Sequence, residues 1–309
     1  MEIWNVGNRI VNTYIYQIED GYIMIDTGYD NGLNKVLKKM EKNNLKPENI
    51  RYIFLTHAHD DHAGFINEIM NKFPKIKLIC NSKSIEVLKK GQNPFEGGCS
   101  SKLALFFCNI MKIFGRGKHL FPIISEENLK RSISINEANK NEIEKILKGN
   151  VYDTPGHTKD SISLMLNDGK FFCGDASMNG LPSINKITIW IENKKEYVES
   201  WKKIISIKPL KIYPGHGKSF NYNCLENKIN KLDKVKLLKL SEDSLLKPSV
   251  MVAELDTVLG MKKTHNIYTN YSQTLNRTKE DRIQGTTGMN TETKKMNGKD
   301  KLQFLGIVI

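Results

Sequence analysis

Apolar and polar positions along the chain change period several times, and each change marks an element. Residues 11–28 hold two apolar runs, VNTYIYQI and YIMIDTG, joined at Glu19-Asp20-Gly21. Glycine accepts a positive φ readily, so this reads as a β-hairpin that opens an antiparallel sheet. Residues 32–43 then place Leu33, Val36, Leu37 and Met40 on one face of a helix. A strand at 50–55 follows, then a helix near 65–73, a strand at 76–80 and a helix at 84–90. Alternating strands and helices predict an α/β layer architecture.

Residues 91–125 interrupt this alternation. GQNPFEGGCSS is rich in turn formers, and behind it Leu103, Phe106, Phe107, Ile110, Met111 and Phe114 share a helical face. The segment reads as an inserted apolar helix, facing the core or forming a lid over a substrate mouth or a dimer contact. Strand-like runs resume at 150–153, 161–166 and 171–173, the last two joined by the turn Asn167-Asp168-Gly169. A helix over 195–206 precedes a final strand at 211–213. From about residue 241 no strong period survives, and 276–301 is dominated by Thr, Asn, Lys, Gly and Glu before the apolar end LQFLGIVI. The expected organisation is a catalytic domain over 1–240, with its insertion at 91–125, and a weakly structured C-terminal extension over 241–309.

Composition narrows the function classes. The net charge of +13 favours acidic partners such as nucleic acid, but the lysines that supply it are spread along the chain, which is also rich in Asn and Ile. The longest apolar run, 103–114, is about half of what a membrane-spanning helix needs and contains Asn109 and Lys112. The opening MEIWNVGNRIVNTYIYQIEDG lacks a basic segment followed by a continuous apolar one, so a cytoplasmic location is expected. The five cysteines form no CxxC pair, which argues for reduced, structural thiols.

Chemistry concentrates behind the strand at 50–55. Residues 56–62 read THAHDDH, three of the seven histidines of the chain with two aspartates in seven positions. His57 and His59 are two apart, a spacing that points both imidazoles the same way from an extended segment, and Asp61 and His62 can turn toward a neighbouring point. Neutral imidazole and carboxylate are the ligands that zinc accepts. Two more histidines sit in rigid Pro-Gly turns after strands, His157 in TPGHT and His216 in YPGHG, and Asp175 ends the apolar strand FFCGD. Cys173 reads as a strand-core residue. His119, after the basic GRGK turn, and His265, in the tail, read as surface side chains.

THAHDDH, TPGHT, GDA and YPGHG, in that order, resemble the metallo-β-lactamase-fold hydrolase superfamily over roughly residues 1–220, and Asp26 in the IDTG turn resembles its supporting aspartate. The resemblance implies a four-layer αββα sandwich. It also implies two divalent metal ions, zinc first, with iron or manganese as the other choices. A first metal would be held by His57, His59 and His157, a second by Asp61, His62 and His216, with Asp175 bridging them and Asp60 a bystander. A hydroxide shared by two metals is available near neutral pH, and Asp61 would act as the catalytic residue that orients it and moves its proton. The implied function is hydrolysis of an ester, thioester or lactone of a small molecule, as in the hydroxyacylglutathione hydrolase and lactonase branches. Two other readings stay open: a nucleic-acid phosphodiesterase of the same superfamily, suggested by the charge, and a non-hydrolytic metal-binding protein on this fold.

Overall fold

In the computed structural model the described residues are 1–94, 96–113 and 117–240. The expectations for residues 241–309, His265 among them, lie outside these. The chain runs β1 (Ile3–Asn5), β2 (Tyr14–Ile18), β3 (Gly21–Ile25), α1 (Leu33–Lys42), β4 (Ile50–Phe54), the single turn α2 (Asp60–Ala63), α3 (Ile66–Lys72), β5 (Lys77–Asn81) and α4 (Ser84–Lys90). It continues through β6 (Gly98–Cys99), α5 (Lys102–Ile113), α6 (Glu126–Lys130), β7 (Ser132–Ile135), α7 (Lys140–Leu147) and β8 (Gly149–Asp153). The last elements are β9 (Ile162–Leu166), β10 (Lys170–Gly174), β11 (Trp190–Ile191), α8 (Lys194–Ile207), β12 (Lys211–Pro214) and α9 (Asn223–Glu226).

Two sheets form the centre. The larger has the order β1-β2-β3-β4-β5-β7 and the smaller β12-β10-β9-β8. The hairpin of β2 and β3 is antiparallel, as its turn chemistry requires, and β3, β4, β5 and β7 are parallel. Side chains of a strand alternate between its faces, and this period of two builds the layers. Tyr16, Ile23, Ile25, Phe54 and Ile79 of the larger sheet meet Val151, Leu164, Leu166 and Phe172 of the smaller in one buried cluster. The opposite face of the larger sheet, including Ile15, Met24, Ile53 and Leu78, packs on Leu33, Val36 and Met40 of α1 and on Ile66, Ile69 and Leu88. Behind the smaller sheet, Phe171, Cys173 and Ile212 are covered by Tyr197, Trp201 and Ile204 of α8. The layers are therefore helix, sheet, sheet, helix, as the resemblance implies.

The helix α5 lies within the segment read as an insertion. Ala104 joins Cys99 of β6 and Trp190 of β11 in a small satellite core, with Leu105, Cys108, Ile189 and Leu238 packed around it. Phe106 and Ile110 are also buried, so α5 is largely a packed helix. No helix among the described residues is long and apolar enough to cross a membrane.

The fold positions a site because β3, β4, β8, β10 and β12 all end at one edge of the two-sheet core. The register Ile25 opposite Phe54 brings the end of β3 beside the end of β4, and β10 and β12 run parallel. The segments that follow these five strands carry the candidate motifs.

Candidate metal centre

All seven side chains singled out in the sequence converge at that edge. Ligand atoms of His57, His59 and His157 form one group, those of His57, His62 and Asp175 a second, and those of Asp61, His62 and His216 a third, each within 4.8 Å of one another. His57, His62, His157, Asp175 and His216 are buried, and His59 and Asp61 are half-buried. The groups overlap, so this is one continuous cluster.

The hydrogen bonds around the rings decide which nitrogen faces inward. Nδ1 of His157 donates to the carbonyl of Trp190 at 2.7 Å, and Nδ1 of His216 to that of Ile10 at 2.7 Å. Nδ1 of His62 lies 2.8 Å from Oδ2 of Asp26. Thr56 Oγ1 donates its single proton to Asp26 at 2.8 Å, so at the 3.0 Å contact between Thr56 Oγ1 and His57 Nδ1 the imidazole is the donor. All four rings therefore turn Nε2 into the cluster. Outer partners of this kind are what orient the imidazoles of metal sites.

The spacing is that of a coordination shell. His157 Nε2 lies 3.2 Å from His57 Nε2 and 3.1 Å from His59 Nδ1. Tetrahedral metal–nitrogen bonds of about 2.0–2.1 Å separate their nitrogens by roughly 3.3 Å. With Nδ1 of His57 and of His157 engaged as donors elsewhere, their Nε2 atoms meet as lone pairs, an arrangement that favours a cation between them. Around the other group, His216 Nε2 is 3.1 Å from Asp61 Oδ2 and 3.4 Å from Asp175 Oδ2, and His62 Nε2 is 3.5 Å from Asp175 Oδ1. His62 Nε2 and Asp175 Oδ1 are buried without a hydrogen-bond partner. Two orphaned buried ligand atoms are costly unless an ion satisfies them, so the donor set fits a metal pair.

Electrostatics divide the cluster. Burial, followed by the neighbouring imidazoles, holds His57 and His59 well below the usual histidine range, and burial also lowers His157 against the pull of Asp175. Burial would lower His62 too, but Asp61, Asp26 and Asp175 outweigh it and bring it to about 9. His216 is likewise raised by Asp175 and Asp61 against its burial. Burial would raise the two acids, yet His62 and His216 hold Asp61 well below its usual range, and His216 and His62 bring Asp175 to about 2.

Close packing leaves little tolerance. A Cβ on Gly215 would meet Asp175 Oδ1 and His62 Cε1 at 2.5 Å, so only glycine lets the YPGHG turn pass beneath those side chains. Several supporting residues carry no periodic signal in the sequence. Asp160, in the same loop as His157, is buried and accepts the Ala58 amide at 2.9 Å and Ser84 Oγ at 2.6 Å. It thereby braces the turn between His57 and His59. Asn12 donates to the carbonyls of Pro214 and Gly217 at 2.9 and 2.8 Å and clamps the turn that carries His216.

One expectation is corrected. His119 is no ordinary surface side chain: it is half-buried and its Nδ1 lies 2.9 Å from Oδ1 of the buried Asp60. The chain returns from α5 across the THAHDDH turn, which no local pattern announces. Asp60 itself belongs to none of the three ligand groups. Cys173 is buried beside α8, and burial raises its thiol far above the usual range.

A family model described as Metallo-beta-lactamase superfamily matches residues 6–216. The chain belongs to this superfamily. Its members are largely metallohydrolases that use divalent metals. One relative, the Beta-lactamase-like protein 2 homolog of Drosophila melanogaster, is 28% identical over 72% of this chain and 62% of its own length. The chain thus spans less than two thirds of that relative. Hydroxyacylglutathione hydrolase 1 of Vibrio vulnificus is 26% identical over 84% of this chain and 85% of its own length. A crystal structure of TTHA1623 in a di-iron-bound form shares the fold with a TM-score of 0.50 and 18% identity, over 74% of this chain and 98% of the other.

Proposed function

We propose that this superfamily member is a dinuclear metal-dependent hydrolase of an ester, thioester or lactone in a small molecule. The observation that carries the reading is the convergence of seven ligand side chains with His62 Nε2 and Asp175 Oδ1 left unsatisfied at its centre. His57, His59 and His157 would hold one ion, Asp61, His62 and His216 the other, and Asp175 faces both sets of nitrogens. Zinc suits this mixture of imidazole and carboxylate, iron and manganese share it, and the di-iron TTHA1623 supports keeping iron in view. When bound, such a pair supplies a nucleophilic water near neutral pH and polarises the scissile group.

The chain's own residues do the rest. Asp61 is half-buried, with His62 and His216 holding its carboxyl well below the usual range; in this reading it orients the attacking water, accepts its proton and returns it to the leaving group. The Asp26–His62 and Trp190–His157 hydrogen bonds fix ring orientation, so little reorganisation accompanies the reaction. Similarity to a hydroxyacylglutathione hydrolase supports an acyl substrate. All five cysteines are free thiols, which suits a reducing compartment such as the cytosol.

The basic charge gives the phosphodiesterase reading less support than its size suggests. A groove lined by Arg51, Lys75, Lys77, Lys145 and Lys148 opens at the opposite ends of the strands, away from the cluster. A panel of esters, thioesters, lactones and phosphodiesters, assayed with and without chelator, tests the proposal. Chelator-sensitive turnover of an acyl substrate is expected, and turnover of phosphodiesters alone would overturn it.

A further inference from the structure

The contact between Asp60 and His119 joins the metal-ligand turn to the segment that follows α5. Asp60 sits between His59 and Asp61, in the turn that carries four of the seven ligands. His119 belongs to a strap, residues 119–124, that leads back from α5. The strap is fastened at its far end: Phe121 and Ile124 are buried in the core beneath α1, α3 and α4, and their amides donate to the carbonyls of Gly91 and Leu88 at 2.9 and 3.1 Å. Ser125 follows, with its amide on Asn67 Oδ1 at 2.9 Å. At its near end stands the hydrogen bond from His119 to Asp60.

Two features suggest that this end is built for more than anchoring. His119 holds a left-handed backbone conformation with φ of 45°, which is uncommon for a residue other than glycine and persists where surroundings enforce it. Leu120, the next residue, is 58% exposed, and Ile123 is 59% exposed, while Phe121 and Ile124, each the next residue along, are buried. The strap thus offers Leu120 to solvent immediately after the side chain that contacts the metal-ligand turn, and Ile123 further along.

We propose that His119 is a positioning residue for substrate specificity. Held by Asp60, it fixes the strap 119–124 beside the metal-ligand turn as the wall on which the apolar acyl group of a substrate packs. This rests on the hydrolase reading for its substrate, while the latch itself is a structural claim that can be tested without turnover. An acyl chain gains free energy roughly in proportion to the apolar area it buries, so a displaced wall weakens binding of longer acyl groups most.

The test uses the metal-loaded protein with His119→Ala, His119→Gln and Asp60→Ala. His119→Ala and Asp60→Ala are expected to raise KM for longer acyl substrates by about tenfold, leaving kcat within about twofold, as befits loss of one charge-assisted hydrogen bond. Glutamine retains a donor, so His119→Gln should recover part of the loss. Metal content should match the wild type in all three. Hydrogen exchange at the Phe121 and Ile124 amides, read on the same samples, should quicken in the alanine variants. Unchanged exchange together with unchanged KM would overturn the latch, as would a KM effect accompanied by metal loss. Absence of acyl turnover in the wild type would instead refute the hydrolase reading, and the exchange measurement would still decide the latch.

Discussion

Asp61→Asn is expected to lower kcat by about 100- to 10,000-fold, the range over which positioned general acid–base groups act. Asparagine preserves the shape of the side chain and removes its charge and its basicity. Asp61 Oδ2 lies 3.1 Å from His216 Nε2, and Oδ1 lies 3.8 Å from His62 Nε2. The substitution therefore also weakens the group proposed to hold the second ion, and metal content should fall with activity. Asp60→Asn is the control, one residue away and the same residue type, with its carboxylate turned toward His119. It should keep wild-type metal content. Equal metal content and equal kcat in both variants and the wild type would remove Asp61 from the site.

Asp26→Ala should have the largest effect on stability. Its carboxylate accepts the Thr56 amide at 2.7 Å and Thr56 Oγ1 at 2.8 Å, and contacts His62 Nδ1 at 2.8 Å, all in the buried interior. Alanine leaves these groups without partners in a space water does not reach, which costs about 3–5 kcal/mol by comparison with other broken buried pairs. The thermal midpoint should fall by roughly 10 °C for a domain of this size. Because Thr56 passes the contact on to His57, both halves of the cluster loosen, and metal affinity should drop by about 10- to 100-fold. Scanning calorimetry and metal titration read the two effects separately. A midpoint within about 1 °C of the wild type would show that Asp26 does not carry this network.

The parts of the fold legible in the sequence are those with strong periodicity. The one-faced α1 and the strands β4, β9 and β10 stand within a residue or two of their expected bounds, and the hairpin of β2 and β3 is placed correctly but three residues shorter at each outer end than the apolar runs. Segment 126–147 is silent for a physical reason. The strand β7 reads SISI with all four residues half-buried, at the edge of the larger sheet, and α7 buries only Ile143 and Leu147. The short α6 depends on Ser125 Oγ accepting the Asn128 amide and on side-chain contacts to Asn67 and Asn71. None of these leaves a pattern along the chain.

The candidate ligands were legible for a different reason: histidines and acids behind buried strands are expensive, and they recur in rigid Pro-Gly turns. Their supports were not legible. Asp160 meets Ala58, and His119 meets Asp60, across 102 and 59 positions of sequence. The Trp190 and Ile10 carbonyls that orient His157 and His216 belong to the backbone, which is present at every residue and so marks none. Such contacts exist only after the strands have brought their C-terminal ends to a common edge.

Metal content of the purified chain tests the central claim most directly. Elemental analysis after equilibration at neutral pH is expected to give about two divalent ions per chain. Fewer should remain as pH falls, since metal ligation requires neutral imidazoles and protons compete for them. His157→Ala and His216→Ala should each lose about one equivalent. A wild-type content well below one ion per chain, or one that neither substitution changes, would contradict the account.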